Sequence, residues 1–521
     1  MKTAANKGII NKNLGLVFWF IFPIILLNLF YNPFEQPLFF DRSYLLYMSQ
    51  VVSRGEFVYK QTTFGYTPIS VLIIGYLMKF GNLFSLTTIE SARIFGIFFY
   101  GCITSAFYCL VRSLWSNTWA VTIACLLFTG LDYLALLSCI NAEPKLWVLW
   151  LSIIGLWCFH KHRWFWCGSS FALASMCWHF AVVSLFACAF SLLLLRKDII
   201  NRFVRLLAGV LVGTLPLIIY LFATSQWLEF WQQAILRKIN MEGEVVGESP
   251  FHWLLQGIYP WFLTESFHFV LGAIGFFILA FVVFSKKVLQ PTFTSQHSSV
   301  LFLVVYTLFW SMANSLEFQS NIDMLPLIPV IVIFTGYVIV LLLQNKRKFA
   351  WQIGLVILII YNYYNGITYK IAYRYSQQYE TFKKLDEQYG NALAIGCSSY
   401  YVALEKPAPT KYVNFLPYEE SFIQDKVNCA AVKDSLKKHQ ISYIIEVNRP
   451  LLERSPHAQN VADLFGRSVV LQQHARSQCA KTLLNSKQFV DQDPHVELKI
   501  QTILISNFFY TKEKYFIYQI E

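Results

Sequence analysis

The sequence predicts a mainly α-helical protein that crosses a membrane many times and carries a C-terminal α/β domain outside that membrane. Of its 521 residues, 56% are hydrophobic and only 14% are charged, whereas a soluble globular protein carries roughly 25% charged residues. The acidic residues are also unevenly placed, since 14 of the 30 precede position 372 and the other 16 fall in the remaining 150 residues. We therefore expect a transmembrane domain over residues 1–371 and a soluble domain over residues 372–521.

Apolar runs define the expected transmembrane helices. Lys2, Lys7 and Lys12 precede a run from Leu14 to Phe30, which we interpret as an uncleaved first helix with its N-terminus in the cytoplasm. Most of the later runs are close to the roughly 20 residues that a helix needs to span a bilayer. They lie at 94–111, 117–137, 146–159, 164–195, 203–223, 266–284, 298–313, 324–343 and 350–366.

Positive charges in the loops predict the topology. Basic residues concentrate on the cytoplasmic side of membrane proteins, and the basic loops here are 160–163, 196–197, 285–287 and 345–348. All four face the cytoplasm if the short run Pro68–Phe80 lies along the outer interface and the run 164–195 is two crossings broken near Trp178-His179. This gives about eleven spans and an extracytoplasmic C-terminal domain. The net charge of +12 then reflects basic loops near anionic lipid and predicts no nucleic-acid partner.

Short apolar strands predict the α/β character of the C-terminal domain. The segments Ala392–Cys397 and Ser442–Val447 are expected to be strands, with Lys499–Ser506 and Lys514–Ile520 forming a closing antiparallel pair. Outside the cytoplasm, Cys397, Cys429 and Cys479 could form one disulfide, but their spacing leaves the pair open.

Two carboxylates on predicted outer loops are candidates for chemistry. Asp41 follows an apolar segment that should lie close to the membrane surface, and Glu143 stands between two spans, directly before Pro144. Each has a structural alternative: Asp41 could pair with Arg42 or cap an interfacial helix, and Glu143 could mark a helix N-terminus. Together they could line one cleft and remove a proton from an acceptor hydroxyl.

Cations on the outer face are candidates for binding a lipid phosphate. The predicted topology places three main segments on the outer face: a first outer loop from Tyr31 to about Ser91, a second around 141–143 and a third from Thr224 to Glu265. Arg237, Lys238 and His252 lie on the third and could hold a phosphate by charge-assisted hydrogen bonds. An interfacial amphipathic helix with snorkelling cations explains them equally well. His179 lies at the break of the 164–195 hairpin, where a structural role is the commoner one.

Taken in order, these elements resemble the GT-C glycosyltransferases, polytopic membrane enzymes that use polyprenyl-phosphate sugars, such as protein mannosyltransferases and the lipid A aminoarabinose transferase. The resemblance covers most of residues 14–366. The first outer loop resembles theirs in residues Asp41, Tyr44, Gly55, Tyr59 and Pro68. The segment 141–144, which contains Glu143, is similar to their second acidic loop, and 324–329 is similar to the "Leu-Pro-x-x-Pro" element that opens a late span.

The sequence also departs from this family. Arg42 replaces the acid that usually follows the first Asp, His179 stands where many members have Lys, and Tyr66 or Thr67 precedes Pro68 where the aminoarabinose transferase has Lys. These differences leave the sugar and the acceptor open.

The resemblance implies an inverting transfer of a sugar from a polyprenyl-phosphate donor to a glycolipid, glycan or protein acceptor at the outer face of the inner membrane. It implies Asp41 as the base, aided by Glu143, with Arg237, Lys238, His252, His179 and Tyr66 as positions for binding the lipid phosphate or substrate. Membrane lipids are the other expected partners, and no metal or cofactor is expected.

Two other classes of function compete with this hypothesis. A multi-span transporter usually shows two corresponding halves, and the spans before about residue 200 have no counterpart after it. A non-catalytic membrane protein that presents an extracytoplasmic domain would have the same composition. Only the loss of function on replacing Asp41 separates that class from an enzyme.

Overall fold

The computed structural model describes the backbone of most of the chain and the side chains of a subset of these residues. The described residues are 2–38, 40–62, 64–140, 143–195, 198–236, 268, 270–281, 295–316, 321–343, 348–368, 374–390, 392–395, 398–410, 434, 437–448, 453–454, 488–492, 498–501 and 509–519. Cys397, Cys429 and Cys479, of which two are candidates for a disulfide, lie outside the described residues.

The first half of the chain is a series of helices joined by short turns. They are α1 (Lys2–Tyr31), α2 (Phe40–Ser53), α3 (Val58–Gln61), α4 (Ile69–Asn82), α5 (Thr88–Leu114), α6 (Thr118–Thr129), α7 (Asp132–Ile140), α8 (Pro144–His160), α9 (Trp164–Cys177), α10 (Val182–Leu195), α11 (Ile199–Thr224) and α12 (Trp227–Phe230). A 3-10 turn (Pro33–Glu35) follows α1, another (His179–Ala181) joins α9 to α10, and a π-helical turn (Trp231–Leu236) extends α12.

Six later helices lie between residues 270 and 403 of the described part of the chain. They are α13 (Val270–Phe281), α14 (Ser295–Leu316), α15 (Ile328–Leu343), α16 (Lys348–Thr368), α17 (Tyr375–Tyr389) and α18 (Ser398–Ala403), with a 3-10 segment (Asn321–Leu327) before α15.

Four helical segments among the described residues are long and apolar enough to cross a membrane, and several shorter apolar helices accompany them. The four are Asn13–Tyr31, Thr88–Leu114, Ile199–Thr224 and Met324–Leu342. The outward face of α11 exposes a row of large aliphatic and aromatic side chains, including Leu211, Ile219 and Phe222. Such a surface suits contact with lipid and not with water.

The predicted break in the run 164–195 is confirmed, because α9 ends at Cys177 and a 3-10 turn separates it from α10. The run 117–137 differs from a single span. It is two helices, because α6 ends at Gly130 and Asp132 starts α7. An acidic residue favours the beginning of a helix, so Asp132 suits the start of α7.

All strands in the described residues follow position 391. They are β1 (Ala392–Ile395), β2 (Tyr443–Asn448), β3 (Glu453–Arg454), β4 (Gln488–Gln492), β5 (Leu498–Gln501) and β6 (Phe509–Gln519). β1 pairs with β2 in parallel, and β6 pairs antiparallel with β2, β3, β4 and β5. The long strand β6 is thus the centre of this sheet.

Close helix packing positions the first outer loop. α2 lies on α4, which itself contacts α8 and α9. The crossing of α2 and α4 needs Gly75, because a Cβ atom there would lie 2.6 Å from the carbonyl oxygen of Ser49. Segments that the sequence separates by about 100 residues are therefore held in one group of helices.

Candidate functional site

Asp41 is the second residue of α2. A carboxylate in the first turn of a helix is stabilised by the partial positive charge of the helix N-terminus. The side chains of Asp41 and Arg42 lie outside the described part of the structure. The role of Asp41 as a base therefore stays a prediction.

An aromatic cluster holds the chain on either side of α3. The ring of Phe64 lies 6.3 Å from Tyr44 of α2, 5.9 Å from Tyr59 of α3 and 5.8 Å from Tyr66. The Tyr59 hydroxyl donates a hydrogen bond to the Tyr66 carbonyl oxygen at 2.6 Å. Tyr66, a predicted substrate-binding residue, is half-buried at the edge of this cluster.

The first and third outer segments are joined by Gln233. Its Oε1 accepts a hydrogen bond from the Phe64 N–H at 2.8 Å, and its Nε2 donates one to the Tyr59 carbonyl at 3.0 Å. The ring of Phe230 packs edge-on against Tyr59 at 5.8 Å. The structure therefore brings these two segments into direct contact, and their place on the outer face stays a prediction.

The predicted phosphate-binding cations Arg237, Lys238 and His252 lie outside the described residues. Their role in binding a phosphate therefore stays a prediction.

Glu143 forms the N-cap of α8 and is only 6% exposed. Glu143 therefore marks a helix N-terminus, as the structural alternative predicted. Pro144 is the first residue of the helix, and the Leu146 N–H donates to the Glu143 carbonyl at 2.9 Å. A buried carboxylate at a helix N-terminus is favoured by the helix dipole. This location leaves a role in binding or proton transfer open.

The start of α8 lies against the hairpin break. The ammonium group of Lys145 lies 5.0 Å from the ring centre of Trp178, which is within the range of a cation–π interaction. His179, the next residue, is half-buried in the 3-10 turn. The structure thus brings the start of α8, which carries Glu143 and Lys145, beside the turn that carries His179.

Asp132 and Arg93 are two further polar residues that the sequence reasoning missed, and they contact the end of α1 or the turn that follows it. The hydroxyl of Tyr31, the last residue of α1, donates a hydrogen bond to the carboxylate of Asp132. Arg93 is 1% exposed and donates hydrogen bonds to the carbonyl oxygens of Phe34 and Gln36. Gly130 before Asp132 could have indicated a new helix start, whereas Arg93 directly precedes the apolar run 94–111 and the sequence gives no sign of its partners.

Among the described residues, no three His, Cys, Asp or Glu side chains are grouped as metal ligands would be. The contacts of the candidate residues lie in two clusters, one around Phe64 and one around Trp178. Helix α4 connects them because it follows Tyr66 and packs against both α8 and α9.

A solved structure shows the same fold: the crystal structure of ArnT from Cupriavidus metallidurans bound to undecaprenyl phosphate. The similarity covers 96% of this chain and 97% of that one, with a TM-score of 0.54 and 12% sequence identity. No protein-family model matches the sequence, and no curated protein matches it either.

Proposed function

We propose that this chain is a membrane glycosyltransferase that moves a sugar from a polyprenyl-phosphate donor to a glycolipid, glycan or protein acceptor. The observation that carries the proposal is the fold shared over 96% of the chain with ArnT, whose crystal structure holds undecaprenyl phosphate.

The proposed reaction takes place where the outer segments meet. The acceptor hydroxyl oxygen attacks the anomeric carbon of the donor sugar, and its proton passes to the carboxylate of Asp41. The bond between that carbon and the phosphate oxygen breaks, and the polyprenyl phosphate leaves from the opposite face with inversion. General-base help of this kind contributes on the order of 10²–10⁴ in rate.

Glu143 has a supporting role in this proposal. Its buried place at the N-terminus of α8 suits a fixed carboxylate that assists Asp41 in removing the proton of the acceptor. Arg237, Lys238 and His252 would compensate the charge that develops on the departing phosphate. The contacts of Gln233 with Tyr59 and Phe64 support this role, because they hold the segment that leads to Arg237 against the first outer loop.

The proposed topology has the N-terminus in the cytoplasm, about eleven spans and the C-terminal domain (residues 372–521, the tail) outside, in a bacterial-type inner membrane. Contacts between the first outer loop and the start of the tail support it: Ser376 donates to the Glu35 carboxylate at 2.9 Å, and Gln378 bonds to Leu38. Two segments that contact each other outside the membrane lie on the same side of it, so the chain between them crosses the membrane an even number of times. With about eleven spans, about ten crossings follow the first span, which satisfies this condition.

The test compares cells with and without the gene for this chain by mass spectrometry of their surface glycolipids, glycans and glycoproteins. The proposal expects one or more species to lose the mass of a sugar, and expression of the chain to restore it. Purified protein in nanodiscs should bind undecaprenyl phosphate in native mass spectra. An unchanged glycan profile together with a changed uptake of a small solute would replace this function with transport.

A further inference from the structure

Gln378 of α17 is buried against Leu38, in the segment that precedes α2. Its side chain is 0% exposed, and its amide contacts both backbone polar groups of Leu38. The Leu38 N–H donates to Oε1 at 2.8 Å, and Nε2 donates to the Leu38 carbonyl at 3.1 Å. Buried peptide groups need such partners, so this single side chain determines how the peptide of Leu38 is placed.

Two helices, α5 and α17, contact the residues that precede Leu38. Arg93 of α5 donates hydrogen bonds to the carbonyl oxygens of Phe34 and Gln36. The Ser376 hydroxyl of α17 donates to the Glu35 carboxylate, and the ring of Tyr375 lies 4.4 Å from the Arg93 guanidinium. Residues 34–38 are therefore held between a transmembrane helix and the first turn of α17.

The same part of the tail also contacts the middle of α2. The Tyr47 hydroxyl accepts a hydrogen bond from the Ala408 N–H at 2.7 Å, and its ring lies 5.9 Å from the ring of Tyr401. Helix α2 is thus fixed by residues 375–408 both just before its first residue and along its length.

Asp41 follows Leu38 by three positions, and α2 begins at Phe40. A rotation of the Leu38 peptide changes the direction in which the chain enters α2, and so moves the first helical turn. Displacement of a reacting group by about 1 Å reduces the rate of an enzyme by on the order of 10²-fold. The geometry around Leu38 therefore bears directly on where the Asp41 backbone lies.

We propose that Gln378 is a positioning residue, through which the tail sets the placement of α2 and of Asp41 for sugar transfer. This proposal rests on the proposed function. It assigns the start of the tail a part in catalysis without any contact with the substrate. The expected signature is a loss of turnover with unchanged binding of the donor lipid, because the residues proposed to hold the phosphate lie on other segments.

The test uses the full chain with Gln378→Met, which keeps the length of the side chain and removes both hydrogen bonds. Hydrogen exchange should become faster at the Leu38 amide and in the first turn of α2. In cells that lack the native gene, the variant should restore the sugar-bearing species at least ten-fold more slowly than the wild type at equal protein level. Binding of undecaprenyl phosphate in native mass spectra should stay as in the wild type.

Two further variants complete the design. Gln388→Met on the same helix, where Gln388 is exposed, should behave as wild type. Ser376→Ala removes the exposed hydrogen bond from the Ser376 hydroxyl to Glu35 and should give a smaller change in the same direction. This variant keeps the test decisive if Gln378→Met does not fold.

The outcomes separate the two proposals. Wild-type turnover in Gln378→Met, despite faster exchange at Leu38, would overturn the positioning role and leave the glycosyltransferase function intact. No change in any glycan on removing the gene would overturn the proposed function, and the positioning role with it.

Discussion

Glu405 in the tail caps the N-terminus of α5 at Thr88. Its carboxylate accepts hydrogen bonds from the Thr88 N–H at 2.7 Å and from the Thr88 hydroxyl at 2.8 Å. The Gln50 side chain of α2 donates to the same hydroxyl at 3.2 Å. The tail, the first outer loop and a transmembrane helix therefore meet at one residue, where a carboxylate satisfies an amide that the helix itself leaves without a partner.

Removing this cap should destabilise the protein without affecting donor binding. We expect Glu405→Ala to lower the stability by about 1 kcal/mol, the usual loss for a helix cap, in thermal unfolding of the purified protein. Glu405→Gln keeps an acceptor oxygen and should lose less. Glu380→Ala, at an exposed site of α17, is the matched control. Equal stability of Glu405→Ala and this control would show that the cap contributes nothing.

Glycines allow α9 and α11 to approach within backbone contact. A Cβ atom on Gly209 would lie 1.9 Å from the carbonyl oxygen of Phe165, and one on Gly168 would lie 2.2 Å from that of Leu206. We expect Gly209→Ala to lower the stability by about 1–3 kcal/mol, because the helices must separate to admit the methyl group. The measurement is the midpoint of thermal unfolding in detergent.

Gly354→Ala is the control for this prediction. A Cβ atom at Gly354 of α16 meets nothing within 4 Å, and alanine is the better helix former by roughly 0.5–1 kcal/mol. This variant should be as stable as the wild type or more so. A destabilised Gly354→Ala with an unaffected Gly209→Ala would contradict the packing of α9 against α11.

The buried Tyr59 hydroxyl gives a prediction that depends on pH. Burial raises the pKa of Tyr59 well above its ordinary value, so the phenol donates to the Tyr66 carbonyl across the neutral range. A raised folded-state pKa stabilises the fold fully below the unfolded value of about 10, and this contribution disappears as the pH rises toward the folded value. Tyr59→Phe should therefore cost about 1 kcal/mol at pH 7, and less as the pH rises above 10.

The measurement is the difference in unfolding midpoint between the variant and the wild type across this pH range. Tyr76→Phe, at an exposed position of α4, should change nothing at pH 7. A Tyr59→Phe protein with wild-type stability at pH 7 would show that its hydrogen bond has no net effect.

Glu143 should matter more for turnover than for binding of the donor. We expect Glu143→Gln to keep α8 in place, because the amide has nearly the same shape, and to reduce transfer on the order of 10²-fold, within the range for a carboxylate that assists proton removal. The sugar-bearing species in complemented cells gives the readout. Wild-type transfer by Glu143→Gln would restrict this residue to capping α8.

The long apolar helices and their order could be predicted from the sequence because a helix that spans a bilayer needs roughly 20 apolar residues. The break at Trp178 followed from basic residues at both ends of one long run. The pairing of Gln378 with Leu38 could not be predicted, since the two are 340 positions apart and a glutamine on an amphipathic helix gives no sign that it is buried. Arg93 was missed for a related reason: its partners are backbone carbonyls, which every residue carries.

The candidate site was predicted in part. The sequence indicated which loops carry acids, and the structure brings the start of α8 beside the turn at Trp178 through Lys145. It did not indicate Asp132, because a single apolar run hid the boundary between α6 and α7. Whether Asp41 and Glu143 share one cleft stays a prediction.

The most direct test of the account is sugar transfer by Asp41→Asn in cells that lack the native gene, measured by mass spectrometry of the surface glycans at equal protein level. The control is Asp198→Asn at the exposed N-cap of α11, which should restore the sugar-bearing species fully. The account predicts that Asp41→Asn folds, binds undecaprenyl phosphate and restores the species at least 10²-fold more slowly than the wild type. Restoration at the wild-type rate by Asp41→Asn would contradict it.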